Sequence, residues 1–281
     1  MFETDKDVLD WYEQQPRALT EDFINKIPWH DVAKYPLPAD FVPVIFYMRD
    51  VESFTEIYYN ELLRTPTCRN THIRKFMDRW SVEENVHANL LNRFLNEAGI
   101  PTSKHWWNEA KSAIPLGYTL QTHIGSAILS VFGRHFSGVH MVWGAINEMT
   151  TLQGYRRLWR LAGHPVLEQL LRAIAQEESI HSNFYWQIAR LRLEASDFTR
   201  KFSRFMVDRF WTPVGQGTKP QSETDYVIAT LFKGLSGVEH FERTVSQRLE
   251  HLPGFAGIKV VKDRIAAIAI DGYQKPRLIT I

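Results

Sequence analysis

Along most of the chain, apolar residues return every three or four positions, and the strict alternation of a half-buried strand is scarce. The pattern predicts long helices at about 40–64, 72–98, 118–136, 139–162, 166–193, 196–211 and 224–251. Helix stops fall where backbone chemistry favours them: "AGIPTS" (98–103) and "AGHPV" (162–166) each put a glycine at a helix end with a proline within two residues. "PVGQGTKPQSET" (213–224) is polar, rich in Gly and Pro, and predicts a loop. "PTSKHWWNEAKSAIPLG" (101–117) is a longer connection with room for a short helix. No low-complexity segment or flexible linker interrupts the pattern. The expectation is an all-α fold and one domain over 1–281: a four-helix bundle core at about 40–193, then additional helices and a C-terminal cap over 194–281.

Two of these helices break their own pattern. "SVEENVHANLLNRF" (Ser81 to Phe94) and "AQEESIHSNFYWQI" (Ala175 to Ile188) each place two carboxylates and a histidine where apolar groups belong. Aligned, they share Glu-Glu-x-[Val/Ile]-His-[Ala/Ser]-Asn, matching Glu83, Glu84, His87 and Asn89 with Glu177, Glu178, His181 and Asn183. Chance supplies roughly one Glu-x-x-His in a chain with this many histidines, so the extended identity carries the signal. A second matched pattern, Glu-x-x-Thr-x-x-x-Tyr, lies upstream of each: Glu52, Thr55, Tyr59 and Glu148, Thr151, Tyr155. Glu84 follows Glu52 by 32 residues and Glu178 follows Glu148 by 30, so the chain holds two copies of one arrangement.

Residues three apart share a helical face, so Glu84 points with His87 and Glu178 with His181. Their neighbours at helical spacing are large and apolar: Trp80, Leu91 and Phe94 around the first pair, Leu171, Ile174, Tyr185 and Ile188 around the second. Glu52 and Glu148 sit on similar stripes. Burying four ionised carboxylates uncompensated costs several kcal/mol per ion, and two divalent cations would balance them. Carboxylate and imidazole together suit iron or manganese. One Glu from each of two helices and a Glu-x-x-His from each of two others is the ligand set of di-iron and di-manganese bundles. The candidate metal ligands are therefore Glu52, Glu84, His87, Glu148, Glu178 and His181. Glu56, one turn beyond Glu52, is the alternative there; the Thr/Tyr match favours Glu52. Glu83 and Glu177 point about 100° away from the ligand face and are expected beside the metals or at the surface. A salt-bridged polar seam is the bland alternative for the whole cluster, and the remaining histidines are expected at the surface or in packing.

Composition narrows the setting. Lysine plus arginine (33) nearly equals aspartate plus glutamate (32), so no global field favours nucleic acid or a membrane. The single cysteine, Cys68, leaves no internal disulfide and fits a reducing compartment. "MFETDKDVLD" lacks the basic start and apolar stretch of a signal peptide, and the longest apolar runs are far too short to span a bilayer. A cytoplasmic protein is expected.

From about Pro36 to Tyr185 the chain resembles the soluble acyl-carrier-protein desaturases, within the ferritin-like di-iron carboxylate group. "WSVEENVH" is similar to that family's Trp-x-x-Glu-Glu-Asn-Arg-His, "PLPADFVPVIFYMRDVE" resembles the approach to its first ligand, and "NEMTT" resembles its third ligand and the threonine after it. "EESIH" stands where the family has Asp-Glu-x-Arg-His. Val86 and Ile180 replace arginines, Ala88 a glycine and Glu177 an aspartate; no ligand is lost. The resemblance implies a ferritin-like bundle, two ferrous ions with O2 as co-substrate (manganese the alternative metal), and desaturation of an acyl chain held on acyl carrier protein or as another thioester. It also implies a ferredoxin-type electron donor, a homodimer, a part in oxygen chemistry for Thr151, and Trp80, Glu177, Asn89 and Asn183 as supports around the ligands. An acidic carrier calls for a basic patch. Arg156, Arg157 and Arg160 are candidates, alongside Arg69, Arg74, Lys75 and Arg79, and Arg200, Lys201 and Arg204. The same ligands also serve a hydroxylase or N-oxygenase of a small molecule, a di-manganese catalase or an iron-storage protein.

Overall fold

The computed structural model describes residues 2–115 and 132–271, and among them no strand is present. Short helices α1 (Asp5–Gln14) and α2 (Glu21–Lys26) precede the long helices α3 (Val42–Leu62) and α4 (Thr71–Glu97). After the short α5 (Trp106–Ser112) come two more long ones, α6 (Arg134–Ala162) and α7 (Pro165–Glu194). Then follow α8 (Asp197–Phe210), α9 (Gln221–Leu231), α10 (Gly234–Phe241), α11 (Gln247–Glu250) and α12 (Val260–Ala266).

The four long helices form the bundle, and their ends show why they pair. Asn70 caps α4, its side-chain oxygen accepting the N–H groups of His72 and Ile73. Between α6 and α7 stand only Gly163 and His164. Gly163 takes φ +63°, a left-handed conformation that ends a helix cheaply only without a Cβ. The His164 ring then accepts the Leu167 N–H at 3.2 Å, and Pro165 fits the first turn of α7. So short a link forces α6 and α7 to pack antiparallel; α3 packs on α4 in the same way. Helix α1 lies across α4 and α7 and inserts Tyr12, whose ring meets the stacked pair Phe76 and Phe184.

Two expectations need correction. The predicted break between 136 and 139 does not exist: α6 runs straight through Gly138. A Cβ there would lie 2.3 Å from Thr199 Cγ2, so this glycine is the point where α8 presses against α6. The predicted helix 224–251 is instead interrupted after Leu231, where Lys233 turns the chain and Gly234 takes φ +70°. Beyond it, Leu252, Phe255, Ile258, Val261 and Ile265 are buried, so the stretch 252–265 packs into the core. The predicted helix 118–136 falls mostly outside the described residues, as does the end of the chain after 271.

Candidate metal centre

Each long helix delivers one buried carboxylate to the same place: Glu52 from α3, Glu84 from α4, Glu148 from α6 and Glu178 from α7. His87 and His181, one turn after Glu84 and Glu178, are fully buried beside them. Glu52, Glu84, His87 and Glu178 each bring one donor atom to within 4.8 Å of the others, and Glu84, Glu148, Glu178 and His181 do the same. The two groups share Glu84 and Glu178. His87 Nδ1 lies 3.4 Å from Glu84 and 3.2 Å from Glu178; His181 Nδ1 lies 3.0 Å from Glu84 and 3.9 Å from Glu148. Glu56, the alternative to Glu52, is exposed and pairs with Lys111.

The donors fit a pair of divalent cations. Glu84 Oε1, both oxygens of Glu178 and the Nδ1 atoms of both histidines are buried with no aligned hydrogen bond. Orphaned polar atoms of this number are costly and need a partner they can all reach. Charge balance points the same way. Burial and the neighbouring Glu84 push Glu52 well above the usual carboxylate range, and burial with Glu178 does the same to Glu148. Burial also opposes charge on the histidines, but Glu177, Glu178 and Glu84 outweigh it at His87, and Glu83 and Glu84 raise His181 to about 9. A cation held among these carboxylates would relieve the crowding of like charge that raises Glu52 and Glu148.

The outer nitrogens of the histidines are tied crosswise. Glu177 of α7 meets His87 Nε2 of α4 at 3.1 Å, and Glu83 of α4 meets His181 Nε2 of α7 at 2.7 Å. A carboxylate on the far nitrogen fixes the ring so that Nδ1 faces the site. Glu83, like its repeat twin Glu177, was expected beside the metals or at the surface and takes the first of these places. His181 and Arg17 hold its carboxyl near 2 against the opposing effect of burial. Trp80 Nε1 donates to Glu148 at 3.1 Å. The Tyr155 hydroxyl donates to Glu52, whereas its repeat twin Tyr59 donates to Asp78 at the surface.

Asn89 and Asn183, expected as supports, do not reach the ligands. Asn89 is exposed and bonds the Asn85 carbonyl, and Asn183 accepts from Gln187 and Arg248. The physical reason is helical phase: two residues past the histidine is a 200° turn, which carries the side chain to the outer face.

Thr151 is half-buried and lines an apolar crevice with Glu52, Met48, Val51, Gly154, Val227, Ile228, Leu231 and Phe232. Thr150 bonds back to the Ile146 carbonyl at 2.8 Å, while Thr151 has no hydrogen bond to a described residue. The crevice holds about 60 Å³, space for a few waters. At its rim Arg157 donates to the Leu231 carbonyl at 2.8 Å. Arg156, Arg157 and Arg160 form no ion pair with a described residue. By contrast Arg74, Arg79, Arg200 and Arg204 are neutralised by Asp78, Glu83, Asp197 and Asp208.

An all-helical bundle with a buried carboxylate–histidine cluster compatible with two metals defines the class of protein. A family model of the fatty acid desaturases matches residues 54–227, more than half of the chain, and the chain belongs to that family. The matched span includes Glu84, His87, Glu148, Thr151, Glu178 and His181, with Glu52 two residues ahead of it. The family makes the protein an oxidoreductase of desaturase type. Searches of curated proteins and of solved structures find no match. No helix among the described residues is long and apolar enough to cross a membrane.

Proposed function

We propose that the protein is a di-iron, O2-dependent desaturase of an acyl chain presented as a thioester on acyl carrier protein or a similar carrier, re-reduced by a ferredoxin-type donor. The observation that carries this reading is the pair of donor groups sharing Glu84 and Glu178, set against an apolar crevice that contains Glu52. Iron held there would activate O2, the oxidant that removes hydrogens from an unactivated C–H bond. The chain's own residues supply the rest. Glu84 and Glu178 would contribute to both ions, Glu52 and His87 would serve one, and Glu148 and His181 the other. The apolar crevice walls exclude water from the reacting carbons. The Thr151 hydroxyl, with no hydrogen bond to a described residue, donates a hydrogen bond or passes a proton at the crevice wall. Arg156, Arg157 and Arg160, which pair with no acid among the described residues, suit the acidic surface of a carrier, and Arg157 lies beside the crevice residue Leu231.

A second reading has one observation in its favour. At about 60 Å³ the crevice admits an acyl chain only if its walls part, so oxygenation of a smaller molecule uses the same ligands with less rearrangement. One experiment separates the two. The iron-loaded protein is given a reduced ferredoxin system, O2 and a panel of acyl-carrier-protein thioesters, and the acyl group is weighed by mass spectrometry. Loss of two hydrogens, abolished by Glu84→Ala, supports the desaturase. Gain of one oxygen moves the protein to the oxygenases. An unchanged acyl group with two irons bound refutes the acyl thioester.

A further inference from the structure

The stretch between α1 and α2 touches neither donor group, yet it reaches both histidines through one intermediate each. Arg17 Nε donates to Glu83 Oε1 at 2.6 Å, and the Tyr12 hydroxyl donates to Glu83 Oε2 at 2.8 Å. Two residues past Arg17, the Leu19 N–H donates to Glu177 Oε1 at 2.9 Å. Glu83 and Glu177 are the carboxylates that hold His181 and His87. One short segment therefore clasps both outer carboxylates from outside the bundle. It is anchored there: Arg17 also donates to the Tyr12 and Gln15 carbonyls and lies over the Tyr12 ring, and Asp5 pairs with Arg192 of α7.

The two arms of the clasp differ in charge. Glu83 meets two guanidiniums, Arg17 and Arg79, which neutralise it. Glu177 meets a neutral backbone N–H and keeps its full charge against His87. A carboxylate left un-neutralised makes its imidazole a stronger donor, whereas a guanidinium-paired one chiefly fixes the ring's orientation. The internal repeat makes the two half-sites alike in ligands; the clasp, which is not repeated, makes them unlike in support.

We propose that Arg17 is a positioning residue for His181, acting through Glu83, and that the Tyr12–Leu19 segment makes the two metal subsites inequivalent. This rests on the metal cage reading, not on the acyl substrate. The test is an anaerobic titration of the full chain with ferrous ion and separately with Co(II), followed by absorbance and by metal content. The wild type is expected to fill in two resolved steps. Arg17→Ala and Glu83→Gln are each expected to weaken one step roughly tenfold or more, the same step that His181→Ala removes. The step that His87→Ala removes stays within about threefold. Arg17→Lys, which keeps charge without the guanidinium fork, is expected to recover part of the loss. Helical circular dichroism checks each variant, and Arg17→Gln replaces Arg17→Ala if the latter does not fold. Two identical steps in the wild type, unchanged binding in Arg17→Ala, or equal weakening of both steps overturns the inference while leaving the cage intact. No binding of either metal to the wild type overturns the cage and the inference together.

Discussion

A carboxylate that belongs to one donor group and a carboxylate that belongs to both are not equivalent, although the sequence writes each as Glu. Glu84 and Glu178 are common to both groups, Glu52 and Glu148 to one each. Glu84→Ala or Glu178→Ala is therefore expected to empty both subsites, and Glu52→Ala or Glu148→Ala to weaken mainly one; metal content per chain distinguishes them. At the opposite extreme stands His140, whose Nδ1 is buried without a partner among the described residues, beside Phe136 and Tyr185. Burial lowers its proton affinity from the ordinary 6.5 to about 4. The unfolded chain binds this proton first as pH falls, so the stabilising contribution is present above about 6.5 and is lost as pH drops toward 4. The full shift corresponds to about 3 kcal/mol at most. Urea unfolding at pH 7 and pH 4.5 is expected to show this acid loss shrink in His140→Phe.

Between elements, glycines set how closely the helices approach. A Cβ on Gly144 would lie 2.3 Å from the Tyr185 ring, so α6 and α7 meet there through backbone and aromatic face. That ring stands edge-on to Trp80, which in turn donates to Glu148. Gly144→Ala is expected to destabilise the protein by about 1–3 kcal/mol through overpacking. The check is a lower melting temperature together with a changed tryptophan fluorescence. The periodic pattern marked all four bundle helices because each buries one long stripe, and period is a local property. It misplaced the break at Gly138 because a glycine in sequence carries no sign of whether it ends a helix or admits a neighbour. It missed α1 because so short a helix takes its stability from the faces it covers, here α4 and α7, and it missed α2 because those six residues bury no side chain and carry no apolar stripe.

For the molecule as a whole, the buried cluster is a stability liability as well as a site. Several of its polar atoms are orphaned, and its acids repel one another. Metal that binds the folded chain and not the unfolded one adds about 2.7 kcal/mol per site at a hundredfold excess over its Kd. Loading with Fe(II) under argon is thus expected to raise the melting temperature by several degrees, and chelation to reverse the gain. Differential scanning calorimetry at fixed pH measures both. No change in melting temperature, in a sample shown to hold two metals, would count against the cluster being their site.

What the sequence determined by itself was the repeated ligand pattern, because a helix converts spacing into a shared face without help from the rest of the chain. Glu84 with His87 and Glu178 with His181 were legible for that reason, and Glu52 and Glu148 followed from the duplication. Tertiary structure decided everything that depends on which helix faces which. It made Glu84 and Glu178 the shared pair, sent Glu83 and Glu177 across to the opposite histidine, and turned Tyr155 inward while its twin Tyr59 stayed at the surface. It also brought Arg17 and Leu19 to the back of the cluster from well over fifty positions away. Contacts of that range have no period, so only the packed bundle reveals them.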